Sequence, residues 1–440
     1  MKKNSIQIRE YQPIVQSEKK IDGYVTLNPH TFEQLENFIL QNRTADTDAL
    51  ELMSISARKG VGKVITAKNY VGLIALKDGT VIEILPKIFS AIDDDQDATH
   101  SKKLVVAMLR TLRDAPYKNL QTSNTNLAKM NIFEIFVRMF IDEVFLITKK
   151  GLKCSYESVE ENVAFFRGKM QFSKQLQQNF AHKERSYMQY DVFTANRAEN
   201  KLLKTTLQYL YQHSTSFKNR NDIKILLNIF ADIDVSVNYK SDFEKYILDR
   251  NTKDYTNALM WSKVFLLGKS FTSYKGSEVS IALLFPMDVL YESYVATLLK
   301  KKFDSDQYIL TIQDKRHHLF EVPDKHFLMK PDIVLTRKST ERTIILDTKW
   351  KLLSSDKKIN YGISQGDMYQ MYAYQKKYVA EEVILLYPRT DQISLQERIE
   401  YCDNDGALVK VRFVDLFDVQ NSLNALAEEI TQGMVKGEKI

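Results

Sequence analysis

The sequence predicts an α+β multidomain chain with a β-rich N-terminal region, a helical middle region and a C-terminal α/β core. Three observations predict it. Residues 5–85 carry short alternating apolar runs broken by turn signals. Residues 101–270 carry apolar residues at helical spacing. The last third returns to short β-branched runs separated by helical patterns. The expected divisions are 1–98, 99–275 and 276–440; 440 residues with 44% hydrophobic content suffice for two or three cores.

Composition narrows the functional classes. A net charge of +6 permits nucleic-acid binding without demanding it. Two cysteines, Cys154 and Cys402, argue against a disulfide framework or a cysteine-built metal site. Met1-Lys2-Lys3-Asn4-Ser5 leads into an alternating run rather than a signal peptide, and there is no 18-residue apolar span. The expectation is a cytoplasmic protein with no membrane contact.

In the N-terminal region, Ser5-Ile6-Gln7-Ile8-Arg9-Glu10-Tyr11 alternates as a half-buried strand does. A helix is expected over 29–42, with Thr31 available as its cap, and strands over 50–56, 64–67, 70–76 and 81–85. Asp78-Gly79 is a hairpin signal. The acidic run 93–97 fits a linker or a solvated loop equally. Gly60-Val61-Gly62-Lys63 suggests a phosphate loop, but that motif needs a Gly five residues before its Gly-Lys pair and a Ser or Thr after it. Ala57 and Val64 occupy those positions. A hairpin turn is expected there, and no nucleotide bound by this chain.

In the middle region, helices are expected over 104–113, 124–149, 197–212, 222–230 and 256–267. The stripe Ile132, Phe133, Ile135, Phe136, Met139, Phe140 is core on one reading and a subunit-facing surface on another. Arg167-Gly168-Lys169 is expected in a turn between helical segments, either as a phosphate or partner contact or as a glycine-enabled turn with solvated charges.

The chemistry concentrates in the C-terminal third. Met329-Lys330-Pro331-Asp332-Ile333-Val334-Leu335 and Thr343-Ile344-Ile345-Leu346-Asp347-Thr348-Lys349-Trp350 are two β-branched runs around a polar turn, a predicted hairpin. Pro331 stands at the start of the first strand, where a missing N–H is tolerated. Ile344-Ile345-Leu346 is apolar on both faces and predicts a buried central strand. Asp347 and Lys349, two apart, share a face, and Asp332 joins them from the neighbouring strand. Two carboxylates suit Mg²⁺ as hard oxygen ligands, the Thr348 carbonyl offers a third, and Lys349 suits water orientation or transition-state charge. The plainer alternative is an Asp–Lys ion pair at a strand end.

Around this hairpin lie a predicted helix over 287–302 carrying Glu292, a strand over 308–312, a helix over 362–374 with Gln370 and Tyr374 at i, i+4, a strand over 383–388 and a tail helix over 416–429. Lys315-Arg316-His317-His318 fits a DNA-backbone contact or a charged turn. His317, His318 and His326 lack zinc spacing.

This order of elements around Pro-Asp and Asp-x-Lys resembles the core of the PD-(D/E)xK nuclease superfamily, which implies a mixed central sheet. Phe285-Pro286-Met287-Asp288-Val289-Leu290-Tyr291-Glu292-Ser293-Tyr294-Val295, Leu346-Asp347-Thr348-Lys349-Trp350, Ser364-Gln365, Tyr369-Gln370-Met371-Tyr372-Ala373-Tyr374 and Leu385-Leu386-Tyr387-Pro388 together resemble the McrC family. That family supplies the nuclease subunit of McrBC-type modification-dependent restriction systems. Arg167-Gly168-Lys169-Met170 and Asn200-Lys201-Leu202-Leu203-Lys204 extend the resemblance from about residue 103 to the C terminus.

The resemblance implies a Mg²⁺-dependent type IV restriction endonuclease subunit cutting methylated double-stranded foreign DNA. Its partner would be a McrB-like AAA+ GTPase hexamer, onto which the N-terminal and helical regions dock and whose hydrolysis they stimulate. Asp332 and Asp347 would bind metal, with Lys349 and Gln370 catalytic and Tyr374 supporting Gln370. Glu292 would reach the metal through water, or else be a helix-surface carboxylate. The long N-terminal β region departs from shorter family members and leaves partner docking open. Two other readings are a stand-alone Mg²⁺-dependent repair or processing nuclease and a non-catalytic scaffold of a defence complex.

Overall fold

Short apolar runs at the N terminus pair, with one strand from residues 279–286, into two four-stranded sheets of a computed structural model. It describes residues 5–41, 43–44, 47–48, 52–88, 95–112, 131–245, 253–267, 279–303, 307–393 and 397–436. The expected helix start at 124–130 and the acidic pair Asp93 and Asp94 lie outside these. The described residues form two compact units, one from 5–112 and 279–436, the other from 131–267. Both mix helices and strands.

In the first unit, one sheet has the order Ser5–Arg9, Val81–Leu85, Tyr70–Leu76, Val279–Pro286. Its first pair is parallel and the others antiparallel. The strand Val279–Pro286, remote in sequence, thus completes an N-terminal sheet, and Gly72 makes this possible. At φ +136°, a Cβ there would stand 1.9 Å from the Leu283 carbonyl oxygen. The second sheet runs Val25–Leu27, Pro13–Gln16, Gly62–Ala67, Met53–Arg58. Its Met53–Arg58 and Gly62–Ala67 strands form the expected hairpin around Gly60. Both sheets close on the helix Pro29–Gln41 through Ile8, Ile14, Phe32, Leu35, Phe38, Ile65, Ile74 and Ile84. Thr31 does not cap that helix. Asn28 Oδ1 accepts the Thr31 N–H, freeing the Thr31 hydroxyl to bond Asp78 in the Asp-Gly turn.

The same unit holds a six-stranded mixed sheet, ordered Tyr308–Ile312, Ile333–Arg337, Thr343–Thr348, Glu382–Pro388, Leu408–Val414, Ile399–Cys402. The Thr343–Thr348 strand pairs antiparallel with Ile333–Arg337 and parallel with Glu382–Pro388. Helix Gln365–Tyr378 covers one face over Ile345, Val383, Leu385 and Val411; helix Met287–Phe303 packs against Tyr308–Ile312 and Thr343–Thr348.

In the second unit the helices Ile132–Lys150, Ala198–His213, Phe217–Ile229 and Thr256–Leu267 pack around Phe136, Phe140, Leu203, Leu207, Trp261 and Phe265. The Ile132–Phe140 stripe is buried here, as core. This unit also carries a three-stranded antiparallel sheet, Ser155–Val163, Ser186–Thr194 and Lys169–Met170, where helical segments were expected. The 155–163 strand is largely polar, and the 186–194 strand carries Tyr187 and Phe193 on one face and Met188, Tyr190 and Val192 on the other, so no one-sided hydrophobic alternation marks a buried face. Arg167 and Gly168 accordingly lie between strands, not helices, and Lys169 opens the short third strand. Among the described residues no helix is long and apolar enough to cross a membrane.

Candidate functional site

The end of the Thr343–Thr348 strand gathers the charged residues. Ile345 is buried beneath the Gln365–Tyr378 helix, so the two-residue period puts Asp347 and Lys349 on that same face. The ladder continues one step further, since the Lys349 N–H donates to the Leu386 carbonyl at 2.9 Å. The covering helix starts where Ser364 accepts the Asp367 N–H at 3.1 Å. Its spacing presents Asp367, Gln370 and Tyr374 along one face.

Lys349 is the hub. Its Nζ lies 2.7 Å from Asp347 Oδ2 and 3.9 Å from Asp367 Oδ1, and donates to Gln370 Oε1 at 3.1 Å. Gln370 Nε2 in turn donates to the Tyr374 hydroxyl at 2.8 Å. Asp332 is fixed from the adjoining strand: its Oδ2 accepts the Thr348 N–H at 2.7 Å and the Thr348 hydroxyl at 2.6 Å. The Asp332 carbonyl accepts the Gln313 N–H at 2.8 Å, which ties the end of the Tyr308–Ile312 strand into the site. Glu292 is held by Gln313, whose Nε2 donates to its Oε1 at 2.8 Å.

Burial and charge repulsion set the protonation. Asp347, 2% exposed, is pushed well above the usual carboxylate range by burial and then by the Asp332 charge, against the opposing pull of Lys349. Burial raises Asp332 despite its Thr348 hydrogen bonds, and burial followed by the Asp332 charge raises Glu292. Burial would depress the Lys349 ammonium, but Asp347, Asp367 and Asp332 outweigh it and hold it above the usual lysine value. Three carboxylates that resist ionisation together favour either a shared proton or a cation.

The donor set fits a hard cation. Asp347 Oδ2 is buried against the Lys349 ammonium at 2.7 Å, and Asp332 Oδ2 against the Thr348 N–H and hydroxyl. Among the described residues no three His, Cys, Asp or Glu side chains group as a metal cage. Two carboxylates completed by a main-chain carbonyl and waters is the arrangement Mg²⁺ accepts.

The structure therefore brings together Asp332, Asp347, Thr348, Lys349 and Gln370, with Glu292 beside them through Gln313. Lys315-Arg316-His317-His318 leads into a small hairpin, His318–Phe320 with His326–Leu328. There Arg316 is paired with Asp314 at 2.7 Å and His317 sits edge-on to the Tyr378 ring at 4.4 Å. Asp367 and Gln313 also belong to the site, although the sequence did not single them out. Asp367 precedes Gln370 by three on one helix, a spacing that could have flagged it. Gln313 reaches the site only through strand pairing and carried no signal.

A family model described as the McrBC 5-methylcytosine restriction system component matches residues 65–388. No curated protein matches the chain. Among solved structures, the chain is similar to one in a refined half-complex from the tetradecameric assembly of Thermococcus gammatolerans McrB AAA+ hexamers with bound McrC. Identity is 17%, over 96% of this chain and 100% of that one, with a TM-score of 0.66. It also matches a chain in the cryo-EM structure of the Thermococcus gammatolerans McrBC complex, at 17% identity over 67% of this chain and 87% of that one, with a TM-score of 0.48. The first match is a likeness of fold along nearly the whole chain.

Proposed function

The chain belongs to the McrBC 5-methylcytosine restriction system component family, and from that premise we propose that it is the DNA-cleaving subunit of a GTP-dependent restriction complex. Its six-stranded sheet and flanking helices act as a PD-(D/E)xK nuclease core. It hydrolyses phosphodiester bonds of methylated double-stranded DNA, and it stimulates the GTPase of a McrB-like AAA+ hexamer. Membership of the family supports the restriction role. The fold shared with a chain from McrB hexamers with bound McrC supports the partner.

The observation that carries the chemistry is the meeting of Asp332, Asp347 and Lys349 at one strand end under Gln370. Asp332, Asp347 and the Thr348 carbonyl would hold Mg²⁺, which when bound would supply an activated water and neutralise phosphate charge. Lys349, anchored by Gln370, orients the attacking water and offsets charge on the phosphate oxygens as the bond breaks. Tyr374 fixes Gln370, and Gln370 positions the water or scissile phosphate. Glu292, held by Gln313, would assist the bound ion through a water. The second unit's small sheet exposes Tyr156 and Phe193, and the segments beside it expose Phe165, Phe166 and Phe172, apolar surface suited to a protein partner.

The test is copurification with the AAA+ GTPase, then cleavage of methylated plasmid with Mg²⁺, with and without GTP. Asp347→Ala should abolish cutting while assembly and GTP hydrolysis persist. Cutting by the purified chain without nucleotide or partner would favour a stand-alone nuclease. GTPase stimulation with no cutting under any metal would favour a scaffold.

A further inference from the structure

The residue after Lys349 is clamped by the N-terminal strands of the same unit. Trp350 Nε1 donates to both carboxylate oxygens of Glu10, each at 3.1 Å. Glu10 Oε2 also accepts the Lys87 N–H at 3.0 Å, and Lys87 Nζ returns to the Trp350 carbonyl at 3.3 Å. The Trp350 ring leans on Tyr291, the residue before Glu292, with ring centroids 5.3 Å apart. Glu10 follows the Ser5–Arg9 strand and Lys87 follows Val81–Leu85, the parallel pair of the first sheet. On the other side, Lys349 is fixed by the Leu386 carbonyl, and a tight turn follows in which the Lys351 N–H donates to the Lys349 carbonyl at 3.0 Å.

A packing contact alone would not need this chemistry. A phenyl ring at position 350 would fill the space against Tyr291 without burying a carboxylate, and burying Glu10 at 3% exposure costs free energy that its hydrogen bonds must offset. What the carboxylate adds is direction: a two-pronged acceptor and a cation acting on both ends of one residue fix the backbone orientation at 349–351. The Lys349 side chain sets out from that backbone.

We propose that Glu10 and Lys87 are positioning residues for the nuclease centre, holding Trp350 so that Lys349 meets Asp347 and Gln370. The proposal rests on the nuclease reading above. It makes the first sheet part of the catalytic apparatus, although no residue of it reaches the reacting atoms. Residues that orient a catalytic group from behind are typically worth about 10- to 100-fold in activity.

The experiment uses the assembled complex with its GTPase and measures single-turnover cleavage of methylated DNA at saturating Mg²⁺. DNA affinity, GTP hydrolysis and melting temperature are followed in parallel. Trp350→Phe, which keeps the ring but loses the donor, should cut about 10-fold more slowly or worse, with DNA affinity and GTP hydrolysis within about twofold. Glu10→Ala should be at least as slow, since it also loses the acceptor of the Lys87 N–H, and the double variant should be no slower than Glu10→Ala, because both changes remove the Trp350–Glu10 bonds. Glu10→Gln, which keeps an acceptor for Nε1, should recover cutting to within about threefold of wild type. If Glu10→Ala fails to fold, Trp350→Phe and Glu10→Gln still decide. Trp350→Phe and Glu10→Gln both cutting at the wild-type rate while Asp347→Ala is dead would overturn the proposal and leave the nuclease reading standing. Additive losses in the double variant would also overturn it. Cutting that survives Asp347→Ala would overturn the nuclease reading and this proposal together.

Discussion

The ammonium of Lys349 stands 2.7 Å from the buried carboxylate of Asp347, two positions earlier on the same strand. That pair is the least replaceable contact of the candidate site. Asp347 is too buried to ionise cheaply on its own, and Lys349 is the cation nearest to it.

Lys349→Met removes that cation while keeping the stem's length. The expected result is a fall of about 10²- to 10³-fold in single-turnover cleavage, the size typical of losing a preorganised charge aimed at the transition state. Partner assembly and GTP hydrolysis should stay within about twofold. Cleavage within tenfold of wild type would remove Lys349 from the centre.

Asp347→Asn trades function for stability. In metal-free protein it should raise stability by about 1 kcal/mol, because it ends the repulsion with Asp332 and loses only part of the Lys349 contact. Mg²⁺ should then raise the melting temperature of wild type but not of the variant. The check is a thermal melt across a Mg²⁺ titration. An unmoved wild-type transition would sink the metal assignment.

Glu10 makes stability depend on pH. Burial pushes its pKa from 4.5 up to about 7, against the opposing charge and N–H of Lys87. The folded state therefore holds a proton that the unfolded chain releases at lower pH. This group's contribution is fully present below pH 4.5, falls through the window from about 4.5 to 7, and is flat above it. The whole span is worth about 3 kcal/mol. Denaturant unfolding at a series of pH values should show wild type losing stability through that window and Glu10→Gln losing less; parallel curves would refute the assignment.

Gly168→Ala should disrupt the small sheet of the second unit. Its φ is +74°, and a Cβ would stand 2.3 Å from the Gln189 carbonyl oxygen and 2.6 Å from Tyr190 Cβ. Strand separation is the only relief, at about 2–4 kcal/mol locally. Gly79→Ala is the control, since φ is +86° but the space around it is open; it should cost about 1 kcal/mol. Hydrogen exchange over residues 155–194 would distinguish them, and equal protection in both variants would contradict the steric argument.

How much was legible depended on how far the partners lie along the chain. Asp347 and Lys349 are related by the two-residue period of one strand, Asp332 by a short hairpin, and Gln370 and Tyr374 by one helical turn. All are local relations that periodicity exposes. The Trp350–Glu10 bond spans 340 positions and left no trace in either segment. The same distance hid the pairing of Val279–Pro286 with Tyr70–Leu76, which joins the start of the C-terminal third to the N-terminal sheet. In the second unit the 155–163 strand is largely polar and the 186–194 strand carries apolar residues on both faces, so neither shows a one-sided alternation, and their mutual hydrogen bonding identifies them.

The amino-acid order by itself determined the elements around the centre and marked Asp332, Asp347 and Lys349, though not Asp367, because strand and helix periods follow from backbone geometry alone. Tertiary structure decided which distant groups steer that centre, namely Gln313 behind Glu292 and Glu10 with Lys87 behind Trp350. Such contacts are selected by the burial of whole sheets against one another, a sum over many residues that no short stretch encodes.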